Sequence, residues 1–463
     1  MIRRLAAVLR PADPADRDAG LSLVEVIVAM MVFAVVSVGV AYSITNSLVL
    51  TRESRARAIA TNLAAQDIDL LRSIEDVFTV TSKSWSTEVG GFTFHVARTA
   101  EWTDAATTST ACGTGTGSLQ YKSVRVSVTY DGMRSITAPI TSATVLAPND
   151  RINDPAKGTI VVEVTGATGA GRGGVPVTIG TATPANGARK PASPPVTDGN
   201  GCSYALRVEP GNYTVSVASP GLITPNQETT ASSSPVTVEA GRTASASFAY
   251  DTAVSIKAVP LQGLTPRPLL PTNLDITFRN VTRGDTVLAA SDASPATLFP
   301  FSGGYAVMAG KHIDPTTEAN VTRSCLSVDP SAWTTPAEDG AVGREIMPVG
   351  GLPGASETVD VPMGIVQLKG LRGNTSIVAV QQDGTANGDP GCVTGQKYTF
   401  TGVTDGKTLA LPYGTWKFYR VSSILGVLPL TDQVVPQPDA ALTRGVVDTG
   451  QGTVMLDPRT VAP

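Results

Sequence analysis

The chain is poor in histidine, cysteine, aromatic residues and unbalanced charge. Its 463 residues include two histidines, His95 and His312, in different predicted domains. His95 alternates out of an apolar strand face and reads as a surface residue. A Ser/His/Asp centre would need one of the two beside an activated nucleophile, and no Gly-x-Ser-x-Gly elbow occurs. Cys112, Cys202, Cys325 and Cys392 are scattered without a Cys-x-x-Cys pair, which argues against zinc and thioredoxin-like chemistry. A net charge of −4 with no basic run argues against a nucleic-acid surface. The glycines at Gly113, Gly115 and Gly117 lack the lysine of a phosphate-cradling loop. Asp383, Asn387 and Asp389 have part of a calcium-loop spacing, but Thr394 stands at the twelfth position where glutamate is needed, so a plain turn is expected. No catalytic, cofactor or metal site emerges, and the expectation is a protein that is not an enzyme.

What is present begins with Leu21 to Ile44, a run carrying one formal charge, Glu25. As a helix it is long enough to cross a hydrocarbon core of about 30 Å. An ionisable side chain in lipid costs several kcal/mol unless paired, so Glu25 is a functional candidate; the plainer alternative is a carboxylate snorkelling to the headgroups. Residues 1–20 read as a leader, with Arg3, Arg4 and Arg10 followed by Asp13, Asp16 and Asp18.

The pattern Gly20-Leu21-Ser22-Leu23-Val24-Glu25-Val26 resembles the cleavage and methylation signal of type IV prepilins. The resemblance implies that a membrane prepilin peptidase cuts after Gly20, that the new terminus at Leu21 is N-methylated, and that Glu25 is the family's assembly acid. Leu21 departs from the commoner Phe or Met. A secretory signal would be cut after its apolar run, whereas this one is kept. Arg52, Arg55 and Arg57 follow the span and nearly balance the leader's cations, so a cytoplasmic amino terminus rests on the resemblance. No lysine or arginine lies between Leu21 and Thr51. The amine freed at Leu21 is then the cation nearest Glu25, in the same subunit or a neighbour.

No proline interrupts residues 21–78, and Ile59, Leu63, Leu70 and Ile74 recur at intervals of four and seven. One helix is expected over 21–78, its membrane span 21–44 and its outer half packed on a sheet. Over 79–150 the period becomes two: Phe92, Phe94 and Val96 alternate with Thr93 and His95, and Val124, Val126, Val128 and Tyr130 alternate with polar residues before an Asp131-Gly132 turn. A helix followed by an antiparallel meander resembles the head of a pilin.

After a polar linker, residues 155–250 alternate through several short strands to Pro210-Gly211-Asn212-Tyr213-Thr214-Val215. This stretch resembles the carboxypeptidase regulatory-like or transthyretin-like β-sandwich, a scaffold rather than a chemistry. Lys157 opens its first strand, where some Gram-positive pilins place an isopeptide lysine; without an assignable partner it reads as solvated. Echoes at Gly304-Tyr305 and Gly414-Thr415-Trp416 predict two more sandwiches, 251–355 and 356–463. The expected architecture is an α+β head on a long N-terminal transmembrane α-helix, followed by mainly-β tandem sandwich domains.

Export favours disulfides. Cys325 and Cys392 flank the predicted junction of the last two sandwiches and are expected to pair; Cys112 with Cys202 is the second expectation, and other connectivities stay open. The reading is a minor multidomain type IV pilin or pilin-like subunit, anchored in the cytoplasmic membrane and then placed in a surface filament. Its partners would be the prepilin peptidase, other pilin subunits through the N-terminal helix, and the membrane; no nucleic acid and no cofactor is expected, and the ligand of the outer domains is open. Alternatives are a pseudopilin of a secretion system, a tethered surface protein that never polymerises, and an extracellular enzyme with accessory sandwiches.

Overall fold

A computed structural model describes residues 22–74, 76–103, 109–110, 112–113, 121–133, 138–147, 154–290, 294–315, 324–373, 375–384, 386–422, 426–429, 435–438 and 444–460. It has one long helix, then strands in sandwich-like sheets. Two compact units divide the chain: residues 1–101 with 121–147, and residues 102–120 with 148–463.

The first unit is built on α1 (Leu23–Arg72), a helix of 50 residues and about 75 Å. It stops at Arg72, earlier than the expected Phe78. Ser73 turns back to bond the Leu70 carbonyl, and Asp76 caps a separate short turn at Val77–Thr79. Both residue types compete for backbone groups and so end helices. The outer half of α1 packs on an antiparallel meander of β1 (Lys83–Val89), β2 (Phe92–Thr103), β3 (Tyr121–Tyr130) and β4 (Ile140–Leu146), in that order. Phe94, Val96, Val126, Val128 and Tyr130 form the sheet's side of the core.

The helix's side differs from the expected stripe. Ala56, Ala60, Ala64, Ile68 and Leu71 are buried, whereas Leu70 is exposed and Ile59 and Leu63 are half-buried. Alanines let the helix backbone approach the sheet closely, which longer side chains would prevent. Asp67 is buried in the same contact, 3.5 Å from Arg98. Desolvation pushes the Asp67 carboxyl above its ordinary value, and Arg98 pulls against that shift.

In the second unit the first sandwich holds two sheets. One comprises β5 (Gly158–Thr165), β7 (Cys202–Val208) and β10 (Thr243–Ala249), with β10 parallel and β7 antiparallel to β5. The other centres on β8 (Gly211–Ala218), flanked by β6 (Val177–Thr181) on one side and by Thr230–Ser232 and β9 (Val236–Val238) on the other. Ile160, Val162, Val164, Tyr213, Val215 and Val217 fill the space between them.

The remaining strands do not divide at Ser356 as expected. Ser356–Val361 pairs in parallel with Val254–Pro260, so that boundary falls inside a sheet. One hydrophobic core, from Val254 through Ile276, Phe278, Val366, Ile377 and Trp416 to Leu456, serves both halves. Parallel pairing between segments about a hundred residues apart has no local sequence signal.

The three Gly–aromatic phrases share one construction. Tyr213, Tyr305 and Trp416 are all but fully buried. Each polar tip bonds a carbonyl shortly before it in the chain: Tyr213 hydroxyl to Glu209 at 2.7 Å, Tyr305 hydroxyl to Phe299 at 2.6 Å, Trp416 Nε1–H to Pro412 at 2.9 Å. Glycine is required at Gly211, where φ is +149° and a Cβ would lie 2.2 Å from the Ala188 nitrogen. Burial pushes the Tyr305 hydroxyl up to about 12.

Candidate functional site: an uncovered apolar helix

Residues 22–52 of α1 are exposed on every face. Leu23 is 77% exposed and Phe33 74%. By length and composition the helix is long and apolar enough to cross a membrane. A helix that is hydrophobic all round is stable in an apolar surrounding, not in water. Two of its hydroxyls bond the helix's own backbone. Thr45 donates to the Ala41 and Tyr42 carbonyls at 3.0 and 2.9 Å, and Thr51 to the Ser47 carbonyl at 2.8 Å. Such back-bonding hides a polar group where water cannot reach it.

Glu25 is the exception, an acid in the first turn of this apolar half. Gly20 and Leu21 lie outside the described residues.

The cysteines form two bridges. Cys112 is bonded to Cys202 with a Cα–Cα distance of 5.3 Å, and Cys325 to Cys392 with 3.9 Å. Beside the first, Trp102 Nε1–H donates to the Tyr204 hydroxyl at 2.8 Å, a buried pair whose burial drives the tyrosine's pKa up. The second lies among Met308, Ile313 and Val328.

The polar clusters read as structural. Asp389 is buried and accepts hydrogen bonds from Ser327, Thr415 and the Gly391 N–H, so it ties loops together. Desolvation raises its pKa despite those bonds. Lys157 is not simply solvated: its Nζ meets Glu209 at 2.6 Å.

Two histidine contacts had no sequence signal. His312 is buried with Nδ1 2.5 Å from Asp285, and its Nε2 has no partner among the described residues. His95 joins Ser86 at 2.9 Å and Asp131 at 3.0 Å. The His95 hydrogen bond lowers the Asp131 pKa. The bonded order is that of a hydrolase triad, yet the His95 and Asp131 side chains are 50% and 69% exposed, so water would screen any charge developing there.

The family model of the prokaryotic N-terminal methylation motif matches residues 16–41. The helix is of the prepilin type. That match contains Gly20, Leu21 and Glu25 and reaches about two thirds of the way along the uncovered half of α1, to residue 41. No curated protein matches the chain in sequence. Among solved structures, the Bacillus anthracis TIE protein is 12% identical, covering 77% of this chain and 70% of its own, with a TM-score of 0.19. BcpA, the major pilin subunit of Bacillus cereus, is 12% identical over 61% of this chain and 95% of its own, with a TM-score of 0.17. The streptococcal ancillary pilin is 10% identical over 62% and 94%, with a TM-score of 0.17. At such scores the chains do not superpose as wholes, and these likenesses carry no weight. The prepilin-type helix does.

Proposed function

We propose that the chain is a minor, multidomain type IV pilin or pilin-like subunit. The prepilin peptidase cuts after Gly20 and the Leu21 amine is methylated. The helix first spans the cytoplasmic membrane once, with the body outside, and then enters the core of a surface filament among the helices of other pilin subunits. The β domains are displayed for adhesion or another surface contact. The role is structural rather than catalytic.

One observation carries this reading: the apolar half of α1, which the methylation-motif match enters as far as residue 41, is covered by nothing among the described residues and bears a single acid. In lipid or in a fibre core that acid needs a cation. The Leu21 amine of a neighbouring subunit would neutralise two desolvated charges together and set the axial register.

The test is Glu25→Ala in the native host, with membranes and sheared filaments analysed separately. The wild-type chain should begin at Leu21 and be present in filaments. The variant should still be inserted and cut after Gly20, but be depleted from filaments at least about tenfold, the effect of about 1.4 kcal/mol. A wild-type chain found only in membranes would make it a tethered surface protein. Normal filament levels for the variant would leave Glu25 a snorkelling acid.

A further inference from the structure

The first sandwich is open along one side. Its two sheets end there in β10 and in the segment 230–238, and between these edges runs a groove of about 810 Å³. On its inner side β10 pairs in parallel with β5, and no strand lies on its outer side among the described residues. The ends of that ladder fix which backbone groups face inward. Thr159 N–H donates to the Arg242 carbonyl at 3.0 Å, and Tyr250 N–H to the Thr165 carbonyl at 2.9 Å. Alternate residues of a parallel strand turn both groups to the same side, so Ala244, Ala246 and Phe248 serve β5. Thr243, Ser245 and Ser247 therefore turn their N–H and C=O groups outward to the groove, where they meet no partner among the described residues.

Proteins blunt free edges with charge, proline or bulges. The opposite edge has Pro235 in a break between two short pairings. Edge strand β1 has Lys83 and Glu88, Ser356–Val361 has Glu357 and Asp360, and Arg444–Asp448 is charged at both ends. The sequence of β10, TASASFA, has no such guard.

We propose that β10 is a docking edge for an extended strand of another polypeptide, which joins β7, β5 and β10 as a fourth member of their sheet. The groove selects the guest's chemistry. Half-buried Val236 and Ala244 form its apolar floor, suited to small apolar side chains facing in. Ser245, Ser247 and Thr237 also line it, the last two with hydroxyls already donating to Glu163 and Asn212. Among the described residues lining it, the charges are Glu239 and Arg242, 3.4 Å apart and already paired. A charge in the middle of the guest would lose its water without a counter-ion, so the central residues are uncharged. Main-chain bonds supply affinity and the alternate side chains supply selectivity. The site is independent of the helix and of filament assembly.

The test uses the full chain in detergent micelles and a blocked nine-residue peptide of alternating valine and threonine. Binding should slow amide exchange at Thr243, Ser245 and Ser247. Ser245→Pro removes an outward N–H and leaves the β5 ladder intact. It should weaken binding at least about tenfold, while exchange within β5 and the Cys112–Cys202 bridge stay as in the wild type. A peptide with a central lysine should not compete. Equal binding by Ser245→Pro, no binding at millimolar peptide, or protection without peptide that grows with protein concentration would each overturn the proposal, the last by making a second copy the occupant.

Discussion

Replacing both Cys325 and Cys392 by alanine should loosen one part of the second unit and leave another untouched. The bridge closes a loop between residues 67 apart in sequence. In the chain-entropy model its loss costs about 4.4 kcal/mol at 25 °C. Both cysteines are fully buried, so the two missing sulfurs add about 1 kcal/mol each if the site does not collapse. The consequences should be local. Around the bridge, Ser327 donates to Asp389, the Trp333 indole donates to the Ser327 carbonyl, and Ile313 exchanges backbone bonds with Cys325. Hydrogen exchange of the full chain, read by mass spectrometry, is the fitting assay, because a chain with several cooperative units has no single unfolding free energy. Peptides covering 306–313 and 325–333 should exchange about a thousandfold faster, the factor equivalent to about 4 kcal/mol. Those covering β5 to β10, which have their own core and the Cys112–Cys202 bridge, should exchange at wild-type rates. An acceleration under tenfold, or one shared equally by β5 to β10, would refute the reasoning.

Gly211→Ala should destabilise the first sandwich by at least about 2 kcal/mol in thermal unfolding, from a left-handed φ and a backbone collision together. Tyr213→Phe should cost about 1–2 kcal/mol by leaving the Glu209 carbonyl and Arg189 N–H short of a partner. For Asp389, burial raises the folded-state pKa, so its stabilising contribution is present below the unfolded value and is lost as pH rises through the folded one. Asp389→Asn should therefore gain stability relative to wild type from pH 4 to pH 7, measured by denaturant unfolding at a series of pH values. Ala60→Leu should disturb the helix–sheet contact by about 1–3 kcal/mol, seen as faster proteolysis of the head, without reducing membrane insertion.

Sequence patterning showed the helix, the alternation at Phe94 and Val96 and at Val124 to Tyr130, and the Gly–aromatic corners, because each rests on local periodicity or on one glycine. It did not show which residues of α1 meet the sheet. Ala56, Ala60 and Ala64 contribute little to a hydrophobic pattern, and their value there is their small size. It also missed the shared core of Val254 to Leu456, whose strands pair across a long separation. Cysteine spacing alone left the connectivity open, and no spacing rule brings Ser86, His95 and Asp131 together from two strands and a turn.

The two halves of α1 solve different problems, and the functional reading follows from the change between them. From Ala56 onward a narrow stripe is buried, polar residues face solvent, and the chain's own sheet supplies the apolar partner. Before Arg52 there is no stripe, because apolar residues occupy every face and nothing among the described residues covers them. A one-sided stripe needs one neighbour. An all-round apolar surface needs a surrounding, and lipid or a bundle of similar helices meets that need equally well. The same segment can therefore pass from membrane to fibre core with little change in what surrounds its side chains. Glu25 is where the two environments differ. Lipid offers a carboxylate no fixed cation, whereas a bundle of cleaved subunits offers amines at regular spacing. Under the proposed function, the apolar residues would retain the helix in either place, and the lone acid would supply the difference in free energy that favours the fibre.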